Sequence, residues 1–339
     1  MLLLRSLLVA LPLCISVHPP SVETAATASA AVRVATRNRL GTISPQYNSW
    51  NIDASPNRGF LWRNLSSPNL LQLAKGLPGG HLRFGGSGND ALWYGDGIGS
   101  NSCAGAAPRN FHCLNATMLD GLLALAEAAS ARLVFGLNIA NVGCPEDASR
   151  HACLNTSGRQ WGPGVLAWNA TNAEGLIRHL AAKGQALYAF ELGNEENGHW
   201  PGLGLSPAQE AQSFAQLAAI VADVYPNVAT RPKIVGPDGD YQDSNRTQRL
   251  RYKGWEEAFL GNLSTSKVPL HAATLHEYIQ VGWNGSSWFV LASNVLDHFS
   301  HISHTFLSFV YDRTISRSLV RRVSLYSGAH AHWFGWVLL

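Results

Sequence analysis

Charged side chains are scarce in this sequence: Asp, Glu, Lys and Arg make up 14% of its 339 residues, against about a quarter in ordinary globular chains. Hydrophobic residues reach 46%. That balance excludes a disordered polyelectrolyte and points to a large interior under a sparsely charged surface. Neither sign of charge dominates. A formal net charge of +3 is too small for a nucleic-acid-binding face, so no nucleic acid partner is expected. It is compatible with weak attraction to an acidic polysaccharide or a membrane surface. No Gly-x-Gly-x-x-Gly follows the first apolar strand run, which removes the main support for a dinucleotide site, and nothing else calls for a cofactor.

Long apolar runs are also missing beyond the start. The opening MLLLRSLLVALPLCISV carries one positive charge, Arg5, and an apolar stretch too short to span a bilayer. It is expected to be a signal peptide covering about residues 1–30, with small residues from Ala25 to Ala30 offering cleavage sites. No other transmembrane span is expected. Seven Asn-x-Ser/Thr sequons follow, at Asn64, Asn115, Asn155, Asn169, Asn245, Asn262 and Asn284, and such acceptors are usable only in the secretory pathway. The expected product is a secreted glycoprotein, with an extracellular, lysosomal or vacuolar, or peripherally membrane-associated destination.

Cysteine is sparse, five in all. With Cys14 in the leader, Cys103, Cys113, Cys144 and Cys153 remain as two close pairs. The simplest reading is two short loop disulfides, Cys103–Cys113 and Cys144–Cys153, among three possible connectivities. The rival, a zinc site, lacks any Cys-x-x-Cys spacing. His298, His301 and His304 recur every third residue, neighbours on a helix, but have few acids around them, so no metal is expected.

What is present is an alternation. Short apolar runs at Gln46–Ile52, His81–Phe84, Arg132–Leu137, Leu187–Leu192, Lys233–Val235 and Ala272–Leu275 predict strands. Amphipathic stretches between them, at Pro68–Gly76, Met118–Ala131, Ala173–Gly184, Pro207–Tyr225 and Tyr252–Leu260, predict crossover helices. Ser206, Pro207 and Gln209 form a capping box. Residues 88–115 and 141–170 are expected to be long substrate-facing loops.

Polar residues gather where the strand runs end: Asp53, Ser87, Asn138, Asn194 with Glu195, Asp238, and His276 with Tyr278. A (β/α)8 barrel builds its site on that face. In the run Glu191-Leu192-Gly193-Asn194-Glu195, strand alternation directs Glu191, Gly193 and Glu195 to the barrel mouth, with Phe190 and Leu192 on the helices. Two neighbouring carboxylates raise one another's pKa, which suits one of them to donate a proton to a glycosidic oxygen. Asn194 is placed to bind a sugar hydroxyl. Trp50, Trp93, Trp161 and Trp200 lie near proposed strand ends or loops, where they serve either sugar stacking or the core. Arg246, Arg249, Arg251 and Lys253 form a basic cluster that either steers an acidic polysaccharide or is a solvated helix face.

The stretches Ile52-Asp53-Ala54, Leu82-Arg83-Phe84-Gly85-Gly86-Ser87, Leu133 to Asn138, Glu191 to Glu195, Gly236-Pro237-Asp238 and His276-Glu277-Tyr278 resemble, in order, the heparanase-like glycoside hydrolases, family 79, over roughly residues 45–300. The resemblance implies a (β/α)8 TIM barrel, a retaining mechanism and β-linked glucuronides, including uronic-acid-containing proteoglycan chains, as substrates. It makes Glu195 the acid/base, with Asp53, Ser87, Asn194, His276 and Tyr278 lining the sugar subsites and Asn138 and Asp238 beside them at the strand ends. Two departures concern Glu196, where close relatives have Pro, and Glu277. A third is larger. The family's nucleophile is a Glu after the seventh strand, yet no Glu follows Glu277, only Asp297 and Asp312. The nearest seventh-strand run, Val323 to Gly328, places Ser327 or nothing there. The barrel is therefore expected to be incomplete after its sixth strand at about residue 300, without the family's C-terminal β-sandwich. Residues 301–339 form an atypical tail, from a truncated or mis-spliced gene or from a short homologue that binds glycans without hydrolysing them.

Overall fold

In this computed structural model the described residues are 49–54, 64–77, 79–98, 112–139, 168–199, 205–240 and 246–276, with two short strands at 324–326 and 336–338. Six strands, β1 (Trp50–Asp53), β2 (His81–Gly85), β5 (Arg132–Leu137), β6 (Ala189–Leu192), β7 (Lys233–Asp240) and β8 (Leu270–His276), pair in that order, every pair parallel. The sheet is the curled first part of a (β/α) barrel. Each crossover carries a helix: α1 (Pro68–Ala74), α2 (Ala116–Ala128), α3 (Thr171–Ala182), the short α4 (Glu196–His199) followed by α5 (Pro207–Val224), and α6 (Arg246–Thr265).

Alternation along the strands sets which side chain goes where. Phe84, Phe135, Phe190 and Leu192 point outward into the main core with Phe214, Leu217 and Phe259 of the helices. Val134, Ala189, Val235 and Ala272 form a separate small cluster inside the curl. Small residues there leave room for long polar side chains above and below. At Ser206 the expected cap is present: its hydroxyl accepts from the Gln209 N–H while Gln209 reaches back to the Ser206 N–H. On α2 the helix starts two residues earlier than its apolar pattern, because Asn115 caps it by accepting from the Met118 N–H at 2.9 Å.

Three elements differ from expectation. Residues 88–115 are not loop throughout, since β3 (Leu92–Tyr94) and β4 (His112–Leu114) form a parallel ribbon. Asn172 on α3 holds it like a missing strand, accepting from the Tyr94 N–H at 2.9 Å and donating to the Tyr94 carbonyl at 2.8 Å. Strand β7 continues through Pro237 to Asp240, its register against β8 shifted on either side of Val235 to Pro237, so the irregular pairing absorbs the missing proline N–H. Helix α6 begins six residues before its predicted start, because polar helix formers extend it beyond its apolar stripe. Near the C-terminus β9 (Ser324–Tyr326) pairs antiparallel with β10 (Trp336–Leu338), outside the parallel sheet. The apparent seventh-strand run is therefore not a barrel strand. No helix among the described residues is long and apolar enough to cross a membrane.

Candidate active site

Arg83 organises the strand ends. It is 1% exposed and stands inside the curl because Leu82 and Phe84 face out. Its Nε donates to Glu191 Oε2 at 2.6 Å, Nη1 to Asn51 Oδ1 at 3.1 Å and Nη2 to Asn194 Oδ1 at 3.1 Å. The same Nη2 contacts the Asp238 carboxylate. Four strand ends, β1, β2, β6 and β7, thus converge on one guanidinium fork. Gly85 makes room for it: a Cβ there would lie 2.7 Å from Arg83 Cζ. Gly86, at φ +94°, brings the turn against Asp53, whose Cγ would be 3.0 Å from an added Cβ.

Strand β8 closes the network. Thr274 Oγ1 accepts from the Asp238 N–H at 2.9 Å and donates to Glu191 Oε1 at 2.9 Å. His276 lies between two carboxylates, with Nδ1 2.6 Å from Glu195 Oε1 and Nε2 2.7 Å from Asp238 Oδ1; the second is an ion contact without hydrogen-bond alignment. The Glu195 N–H donates to the Asp238 carbonyl at 3.0 Å. Glu195 and Asp238 each adopt φ +60°, a conformation costly for side chains with a Cβ and concentrated where a site fixes the backbone.

The arrangement changes one expectation about Glu195. Both Glu191 oxygens are held, by Arg83 and Thr274, so Glu191 serves the buried network while Glu195 meets His276. The chain leaves β6 at Leu192 and turns left-handed at Gly193 and Glu195, so strand alternation no longer sets the direction of Glu195, and its partner is His276. Solvent reaches 17% of the Glu195 side chain, against 2% for Asp238 and His276 and none for Glu191. Of these groups Glu195 faces the mouth.

The remaining predicted site residues divide. Asn194 accepts from Arg83 and donates to Ser87 Oγ at 3.4 Å, so both belong to the cluster, as does Asp53 through Gly86. Asn138 does not join it. Its side-chain amide donates to the Leu92 carbonyl and its N–H to Tyr94 Oη, anchoring the β3 ribbon. Tyr278 lies outside the described residues, as do Cys103, Cys144, Cys153, Trp161, Trp200, His298, His301 and His304, and the sequons at Asn155, Asn245 and Asn284. Asn64 and Asn169 are exposed, Asn115 caps α2, and Asn262 on α6 donates to the Ala258 carbonyl at 2.7 Å. The basic residues Arg246 to Lys253 lie in the first turns of α6, and Trp50 and Trp93 are half-buried on β1 and β3.

Pattern reading missed the acids behind the mouth. Glu210 and Glu256, on α5 and α6, are fully buried or nearly so. Burial, then the charges of Glu196 and Asp90, hold the Glu210 carboxyl well above the usual carboxylate range. Burial, then Asp240 and Glu257, push Glu256 up to about 8. Helical spacing contains the signal: Glu210 precedes Phe214 and Leu217 by four and seven residues, on the apolar face. Among the described residues no group of His, Cys, Asp or Glu is arranged to hold a metal ion.

Comparison with known proteins follows the same lines. The model of the family described as "Glycosyl hydrolase family 79, N-terminal domain" matches residues 46–268. Heparanase-like protein 3 of Arabidopsis thaliana is 30% identical over 49% of this chain and 26% of its own length. Heparanase of Rattus norvegicus is 24% identical over 78% of this chain and 51% of its own. Baicalin-beta-D-glucuronidase of Scutellaria baicalensis is 26% identical over 58% and 36%. The chain thus spans about a quarter to a half of the length of these relatives.

Proposed function

From the premise that the chain belongs to glycosyl hydrolase family 79, we propose that it carries the proton-donating half of a glycosidase site for β-linked glucuronides. The observation that carries this reading is Glu195: a carboxylate at a strand end, held by His276 at 2.6 Å, and the part of the polar cluster that opens to solvent. In a retaining mechanism such a group protonates the leaving glycosidic oxygen, and a second carboxylate about 5–5.5 Å away attacks the sugar. Asn194 offers an amide to the hydroxyl next to the reacting carbon, with Asp53 and Ser87 beside it, and the family resemblance adds Tyr278 to the sugar-binding residues. His276 and Asp238 hold Glu195 from behind. The names of the rat and Scutellaria relatives, a heparanase and a β-D-glucuronidase, support an acidic glycan or other glucuronide as the partner.

The nucleophile is the missing part of the proposal. Glu191 is buried and bound on both oxygens, which leaves it unsuited to attack the sugar, so this chain is proposed to turn over poorly, the alternative being a non-catalytic binder of acidic glycans. The apolar leader and the sequons support a secretory route ending outside the cell, in a lysosome or vacuole, or at a membrane surface. Cys113 takes part in a disulfide; Cys103 is proposed as its partner and Cys144 with Cys153 as the second pair, on their closeness in the sequence alone.

Incubating the chain with an aryl β-glucuronide tests the catalytic part. Release of the aryl group is expected to stay near the uncatalysed level. Robust release that Glu195→Gln abolishes would sink the impaired reading while upholding the role of Glu195.

A further inference from the structure

At the opposite end of the strands lies a second cluster with no part in the site above. His81 starts β2, Arg132 starts β5, Lys233 starts β7, and each stands two residues before a side chain inside the curl: Arg83, Val134 and Val235 respectively. Alternation puts all three on that inner face. Tyr188, just before β6, packs beneath the Val134, Ala189, Val235 and Ala272 cluster. Lys233 Nζ is 4.4 Å from the Tyr188 ring centre and 3.3 Å from its hydroxyl. Arg132 Cζ lies 5.4 Å from the same ring. His81 packs tilted against the same ring, 4.7 Å between ring centres, and His271 Nε2 is 3.4 Å from Tyr188 Oη.

Two permanent cations and two imidazoles therefore surround one tyrosine. Among the described residues Lys233 has no carboxylate partner, and it donates to the Tyr188 hydroxyl. Tyr188, Lys233 and His271 are half-exposed and Arg132 is exposed, so the cluster opens to water. We propose that it is a binding site for a small oxyanion, of the sulfate, phosphate or carboxylate class, which would sit between Lys233, Arg132 and His271 with the Tyr188 ring as one wall. The recognising chemistry is charge-assisted hydrogen bonding from several donors fixed by strand register. The histidines register the same field: burial, then Arg132, Lys233 and His271, lower His81 to about 4, and burial with Lys233 lowers His271. A bound anion offsets Arg132 and Lys233 and so raises both.

The test is a sulfate titration of the full chain carrying isotope-labelled histidine, followed by NMR at constant ionic strength against sodium chloride. The His81 and His271 signals are expected to move saturably, and the pH midpoint of His81 to rise from about 4 as sulfate saturates. Lys233→Gln should weaken binding about tenfold, and Tyr188→Phe, which keeps the ring, by a few fold. A sulfated disaccharide run in parallel separates carriers: a matching shift means the group is recognised on a glycan, and sulfate alone shifting the signals means a free anion. Shifts that grow linearly and equally with chloride, or an unmoved His81 midpoint in the wild-type chain, would overturn the proposal without bearing on Glu195.

Discussion

Arg83→Met is expected to destabilise the protein by on the order of 3–5 kcal/mol, the cost of leaving a buried charge unpaired. Arg83 contacts both Glu191 and Asp238, at 0% and 1% exposure, and the substitution strands the pair of them. Neither has water to turn to. Thr274 still donates to Glu191 and His276 still touches Asp238, which limits the damage but replaces no cation of Arg83's reach. Arg83→Lys should fall between: a point charge survives, but a single ammonium cannot serve Asn51, Asn194, Glu191 and Asp238 together. Urea unfolding followed by circular dichroism reads both. A loss below about 1 kcal/mol for Arg83→Met would mean that the fork does not hold the strand ends.

Raising the pH from about 4.5 to 8 should cost the native state on the order of 5 kcal/mol through Glu256 alone. An unfolded Glu releases its proton near 4.3, whereas the buried Glu256 keeps it up to about 8. Between those values the folded chain binds the extra proton, so stability falls as pH rises. Below the window both states are protonated and nothing is lost; above it both are ionised and the loss is complete. Glu210 acts with the same sign. Glu256→Gln mimics the neutral acid at every pH. Its stability should match wild type near pH 4.5 and exceed it by several kcal/mol at pH 8, seen as diverging thermal midpoints. Parallel curves for the two proteins would show that Glu256 ionises freely in the folded state.

The alternation of apolar runs made the parallel strands legible, because strands buried on both faces carry continuous hydrophobic stretches whose ends are marked by polar residues. Of the residues named by that rule, Asn194, Glu195, Asp238 and His276 lie together around Arg83, whereas Asn138, also at a strand end, turns toward Leu92, since a list of strand ends does not tell which amide meets a neighbouring carbonyl. Arg83 was visible in the motif Leu82-Arg83-Phe84, yet its role as the common partner of four strands depends on register between residues about a hundred positions apart. Thr274 was hidden for the same reason. Glu210 and Glu256 owe their burial to the packing of α5 and α6, which sequence alone does not give, and β7 ran past Pro237 because its register against β8 shifts there.

The central claim, a glucuronide site around Glu195, is tested most directly by calorimetric titration of the chain with an aryl β-glucuronide and the matching β-glucoside. Lys233→Gln, run alongside, removes any contribution from the cationic cluster at the far end of the strands. The account predicts saturable binding of the glucuronide in both proteins, at least about tenfold tighter than the glucoside, a difference of 1.4 kcal/mol. Equal affinities for the two sugars, or no binding by a folded chain, would contradict it.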